Sequence, residues 1–255
     1  MSRAGKPTVL PKLRGGRRWP LLLQIIGLGT LLLLLSGCVR YDVSIQFDRQ
    51  TRGQIVQHVH LTQRAAAVAA DEVALWRQQL QARAQALGGR VRSPSTADMD
   101  IVLPFHNGAE LTRVFNQFFQ PEADWQAVGL PQVATMQAQL SLQQGNWLVA
   151  IRNHFVVEVD LRDVPELSPL PETWMSRPWL DLRFAWQTPW GLTVRETTTV
   201  PPLSKQDGVA QWRLRPGQVN YLEGIVWVPS WVGIGTLAIA TLVALGWGIK
   251  YRLRN

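Results

Sequence analysis

Strict alternation opens the readable part of the chain. Tyr41, Val43, Ile45 and Phe47 fall on one side of an extended backbone, and Asp42, Ser44 and Gln46 on the other. That period of two predicts a half-buried strand. Residues 48–53 are polar and end in glycine, so they read as a turn, and residues 54–61 read as the second strand of a hairpin. From 64 to 87 there is no glycine or proline, and Val73, Trp76, Leu80, Ala84 and Leu87 recur at helical spacing. Gly88 and Gly89 stop that helix. Residues 98–103 predict a short strand with Met99, Ile101 and Leu103 on one face. Asn107 followed by Glu110 has the form of a capping box, and Leu111, Val114, Phe115 and Phe118 line the helix behind it. Strands are expected at 137–142 and 147–159 around a turn at 143–146, then at 179–187, 192–200 and 211–214 after a proline-rich link at 165–171. The sum is an α+β fold: a mainly antiparallel curved sheet with two helices packed on one side.

Two apolar blocks, 21–35, broken only by small residues and Gln24, and 225–249, break this pattern. The first follows a basic segment ending in Arg17 and Arg18, and Leu35, Ser36, Gly37 and Cys38 close it. Fifteen helical residues reach about 22 Å, too short for a hydrocarbon core of about 30 Å. A short apolar run followed by small residues is instead a secretory signal pattern. With cysteine at the cleavage point it resembles a bacterial lipobox, which implies lipidation of Cys38 and cleavage before it. Arg17 and Arg18 leave the general and twin-arginine export routes both open.

The second block reads as a transmembrane helix. Residues 231–249 carry no charge, Trp227 and Trp231 stand at one edge, and Trp247 and Tyr251 stand at the other. Lys250, Arg252 and Arg254 follow and keep that end cytoplasmic. The organisation expected is therefore a signal at 1–37, an extracytoplasmic domain at 38–224, a span at 225–249 and a basic tail at 250–255. The membrane is the plasma (inner) or the thylakoid membrane, with the domain in the periplasm or lumen. Within the span, Thr236, Ala240, Ala244 and Gly248 recur every fourth residue as a helix-packing stripe.

Charge narrows the functional classes. The formal net charge of the 255 residues is +8. Six positive charges precede residue 37 and three follow residue 249, so the segment between is close to neutral. A nucleic-acid binder carries its basic patch on the folded domain, so no nucleic-acid partner is expected. One cysteine excludes a disulfide scaffold.

The lipobox, the alternating strand at 39–47, the polar turn, the strand at 54–61 and the long helix follow one another in a fixed layout. Leu180-Asp181-Leu182-Arg183-Phe184, Gln211-Trp212-Arg213-Leu214, Pro216-Gly217 and a C-terminal span come later. This layout resembles the LppM-like lipoproteins, most of all their cyanobacterial branch. The resemblance implies a membrane-tethered domain whose sheet curves around an apolar interior, and a mycobacterial member associated with envelope lipids. It brings no catalytic residues. The chain departs from the mycobacterial pattern in its tryptophan-rich segment and its longer middle at 120–137, so no ligand is carried over.

Little in the chain points to catalysis. His58 and His60 share a strand face, a spacing that suits zinc or copper, but no third ligand stands nearby. Asp71 and Glu72 read as a solvated helix face, and Asp98 and Asp100 as strand residues. No nucleophile elbow, zinc helix motif or phosphate-binding glycine loop is present. No metal and no cofactor is expected. The twelve tryptophans are the unusual feature, and Trp174, Trp179, Trp186 and Trp190 fall within seventeen residues. Indoles serve as core, as an apolar ligand groove or as an interface, and these four are the ligand or interface candidates. The expected function is that of a non-enzymatic, doubly anchored lipoprotein. Its domain binds an apolar ligand such as a lipid, or a membrane-protein partner. Two alternatives are an assembly factor acting through the helix stripe, and a hydrolase or transferase on envelope lipids.

Overall fold

The structure is a computed structural model that describes residues 39–48, 50–62, 70–120, 137–164, 180–206 and 208–252. The lipobox residues Leu35, Ser36 and Gly37, the lipidation candidate Cys38, and Trp174 and Trp179 lie outside them.

The described chain runs β1 (Val39–Phe47), β2 (Gly53–Leu61), α1 (Ala70–Ala86), β3 (Arg90–Arg92), β4 (Asp98–Phe105) and α2 (Gly108–Phe119). It continues β5 (Gln137–Asn146), β6 (Ala150–Asp160), β7 (Leu180–Gln187), β8 (Thr193–Val194), β9 (Ser204–Gln206), β10 (Val209–Arg213), β11 (Val219–Pro229) and α3 (Trp231–Arg252). The fold is α+β, but the strands form two sheets and not one. Seven strands are ordered β3-β4-β2-β1-β7-β10-β9, and four are ordered β5-β6-β11-β8. Neighbours are antiparallel except β1 and β7, which run parallel.

The alternation read in the sequence decides what goes inside. Tyr41, Val43 and Ile45 of β1 are buried, as are Met99, Ile101, Leu103 and Phe105 of β4 and Leu182, Phe184 and Trp186 of β7. The smaller sheet contributes Leu140, Phe155, Val157, Leu222, Val226 and Val228 to the same apolar cluster. Trp186 of one sheet and Phe155 of the other stack flat, with centroids 3.7 Å apart and planes 6° from parallel. Phe47 extends this seam, 5.6 Å from Trp186 and 5.2 Å from Phe105. Gly224 stands opposite Phe155 in the register, and a Cβ there would lie 2.5 Å from Phe155 Cζ. The glycine therefore leaves the space that the ring fills.

Both domain helices contact β4 and add their apolar faces to this core. Asn107 caps α2: its Oδ1 accepts from Glu110 N–H at 2.8 Å, while the Glu110 carboxylate reaches one residue beyond the cap and accepts from His106 N–H at 2.8 Å. Further along α2, the Asn116 side chain accepts from Leu140 N–H at 2.7 Å and donates to Leu140 C=O at 3.1 Å. One amide thus takes the place of a neighbouring strand at the free edge of β5.

Three boundaries differ from the sequence reading. Residues 143–146 continue β5, and the hairpin turns instead at Trp147, Leu148 and Val149. Of the strand expected at 192–200, only Thr193–Val194 is strand. Ile225–Pro229 is the end of β11, not the start of the apolar helix. Its buried residues on both faces make it resemble a span in composition, while its register against β6 is unbroken to Pro229. α3 begins only at Trp231, and its Trp231–Tyr251 stretch is long and apolar enough to cross a membrane.

Candidate functional site

The tryptophan candidates do not assemble a surface groove among the described residues. Trp186 is 1% exposed and fixed between Phe155 and Phe47 in the core. Trp190 packs half-buried against the outside of that core. A cavity of about 10 Å³ beside Tyr41, Phe115 and Phe184 is far too small for an acyl chain. Burial raises the Tyr41 hydroxyl well above the usual tyrosine range.

The outer face of the seven-stranded sheet carries the polar order that composition concealed. Register places Arg92, Asp100, His58, Asp42, Arg183 and Arg213 in one row across six strands. The next row is Asp98, His60, Arg40 and Asp181. The two histidines do share a face, and each meets an aspartate of β4. His58 Nδ1 donates to Asp100, and His60 Nδ1 to Asp98 at 2.6 Å. The His60 bond, with a second from Ser95, holds the Asp98 carboxyl below the usual carboxylate range. Arg183 Nη2 reaches Asp181 at 2.6 Å, Arg213 Nε reaches its other oxygen at 3.2 Å, and Arg40 Nε reaches Asp42 at 2.7 Å. The four arginines balance the four aspartates. Such a face presents a fixed pattern of opposite charges and not a net field.

The smaller sheet holds one buried carboxylate, Glu223 on β11. It accepts from the Thr197 hydroxyl and from His154 Nε2 at 2.6 Å, and Arg195 Nε lies 3.9 Å away. The Thr197 bond first, and the His154 bond after it, draw this carboxyl below the ordinary glutamate range. Thr198 Oγ1 and Arg195 N–H bond the Glu223 backbone. The segment 195–199 is thereby strapped along the same edge of β11 that β8 pairs with.

At the foot of β11, one residue separates strand from helix. Ser230 N–H donates to Val149 C=O at 2.8 Å, and Ser230 Oγ accepts from Gly233 N–H at 3.2 Å as the helix cap. Gly233 is pressed against the β5–β6 turn, where a Cβ would lie 1.5 Å from Leu148 C=O. Gln50 Nε2 donates to Pro229 C=O at 2.5 Å from the β1–β2 turn. The stripe residues Thr236, Ala240, Ala244 and Gly248 lie on α3, exposed among the described residues.

Residues 43–255 match the family described as a protein of unknown function, DUF3153. The chain belongs to the DUF3153 family. Among solved structures it is similar to the folded domain of LppM from Mycobacterium tuberculosis, determined by NMR, at 15% identity and a TM-score of 0.39. That likeness covers 75% of this chain and 91% of the LppM domain. No curated protein matches the chain.

The geometry of this DUF3153 domain bears on catalysis at the Glu223 cluster. There the carboxylate sits between the imidazole and the hydroxyl, so Thr197 donates to Glu223 and not to His154. A nucleophile needs the reverse order, hydroxyl to imidazole to carboxylate. The cluster holds the segment 195–199 against β11. Among the described residues, no group of three metal-ligating side chains gathers. Sequence spacing paired His58 with His60, but their aspartate partners on β4 follow only from strand register.

Proposed function

We propose that this DUF3153 protein is a non-enzymatic, LppM-like lipoprotein held to its membrane at both ends of the chain, by lipid on Cys38 and by α3. The domain stands on the periplasmic or lumenal side of the plasma or thylakoid membrane and engages a membrane-protein partner across its surface. The observation that carries this reading is the junction of β11 and α3. With Ser230 alone between them, and the β5–β6 turn packed on Gly233, the domain cannot swing away from the bilayer that the helix crosses. Among the described residues the core around Trp186 and Phe155 is closely packed, which favours surface contact over an interior lipid, and the charge-balanced rows supply a face with a register to match.

The test is purification of the full chain from its native membrane in mild detergent, followed by mass spectrometry of proteins and lipids. A stoichiometric membrane protein that is lost on Arg40→Glu supports the reading. Loss on Ala240→Leu alone moves the partner to the helix stripe and makes this an assembly factor. A stoichiometric lipid without a protein, or neither, overturns the proposed partner. Acyl labelling that persists on Cys38→Ser overturns the lipid anchor.

A further inference from the structure

The β5–β6 turn is apolar where a solvated hairpin would be polar. Trp147 is 65% exposed, Leu148 58% and Val149 40%. Trp227, also exposed, stands beside it, with the Trp147 and Trp227 rings 6.4 Å apart, and the exposed Trp231 opens α3. No charged residue occurs between 137 and 151. Leu148 adopts a φ of +60°, a conformation unfavourable for a leucine. A hairpin in water would place glycine or asparagine there.

Depth decides what covers this patch. The apolar stretch Trp231–Tyr251 has 21 residues, about 31 Å of helix against a hydrocarbon core of about 30 Å. The helix has no length to spare, so its third residue, Gly233, lies at or inside the bilayer boundary. Leu148 is in backbone contact with Gly233, so the turn lies at the same level. The backbone groups of Trp147 and Val149 on either side of Leu148 are prepared for that place. Trp147 N–H donates to Ala150 C=O at 2.8 Å, Val149 N–H to Trp147 C=O at 2.7 Å, and Val149 C=O accepts from Ser230. Internally bonded backbone is what an apolar medium requires, and indoles favour the headgroup level.

We propose that the tip Trp147, Leu148 and Val149 enters the lipid interface beside α3 and docks the domain on the bilayer. This rests on α3 being a span. The ligand is the headgroup–acyl boundary of the same membrane, and Trp227 and Trp231 complete the contact.

The test is site-directed spin labelling of the full chain in vesicles of equal phosphatidylglycerol and phosphatidylcholine. Labels go at Leu148→Cys, Trp147→Cys, Val232→Cys and Lys205→Cys, and the parent chain sets the background from Cys38. Accessibility to oxygen is compared with accessibility to a water-soluble nickel chelate. The expected oxygen-to-nickel ratio at positions 147, 148 and 232 is several-fold above that at 205. Lipid at 232 with water at 147 and 148 overturns the docking tip and leaves the span standing. Water at 232 overturns the span itself. Labels at 147 and 148 shielded from both reagents point to a covering protein and overturn the lipid contact. Two tip positions guard against a substitution that disturbs the turn.

Discussion

The phenyl ring of Phe155 lies flat on the indole of Trp186 and joins the two sheets at 3.7 Å. Both residues are essentially unexposed, so neither can be cut back without leaving a cavity. Phe155→Ala is expected to cost about 3–5 kcal/mol, read as a fall in the thermal midpoint of the detergent-solubilised chain. Trp186→Ala is expected to do the same. A midpoint unchanged in either variant would mean that the sheets are not joined there.

Gln57 is 1% exposed on β2, and neither atom of its amide has a hydrogen-bond partner among the described residues. An unpaired buried amide costs about 1–3 kcal/mol. Gln57→Met keeps the volume and removes the polar atoms, so the variant is expected to be more stable by about that amount. Denaturant titration checks this, and a less stable variant would show that the amide is bonded in the folded protein.

Asn116 is the partner of Leu140 at the free edge of β5. Asn116→Ala leaves both backbone groups of Leu140 unpaired and bares the strand. The expected loss is about 1–3 kcal/mol per unpaired buried group, with faster aggregation on warming. Asn116→Asp keeps the acceptor and is expected to lose less. Equal losses for the two variants would remove the edge-pairing role.

Glu223 is the buried member of four carboxylates, with Asp98, Glu110 and Asp160, held below their ordinary values. A carboxyl lowered by folding stabilises the protein above its unfolded value. That stability is lost as pH falls through the folded value. Below the ordinary glutamate value of 4.5, the thermal midpoint of the native chain is expected to fall toward that of Glu223→Gln. A constant gap between the two down to pH 3 would show that Glu223 does not contribute to the acid limb.

Local patterns carried much of this fold into the sequence. β1, β2 and β4 were legible because each buries one face, so alternation reports them. The start of α2 was legible because its cap is a contact between neighbours in the chain. β11 was not, since Ile225, Val226 and Val228 are buried together and run without a polar break into α3. The turn at Trp147, Leu148 and Val149 was hidden because apolar residues read as strand in a sequence even where they are exposed. Trp186 illustrates the converse. An indole's composition is the same in a core and on a surface, and only pairing across sheets distinguishes them. The charge rows depend on which strands become neighbours, above all the parallel pairing of β1 with β7, which no local signal encodes.

The single-residue joint at Ser230 also fixes a compass heading. Because β11 passes into α3 without slack, each direction around the helix axis corresponds to one direction around the domain. The stripe of Thr236, Ala240, Ala244 and Gly248 and the arginine–aspartate rows are therefore locked in phase. Adding one residue to α3 above the stripe would turn it by about 100° relative to the sheet and leave every contact within the domain intact. A partner that gripped the helix would thereby choose which way the charged face looks.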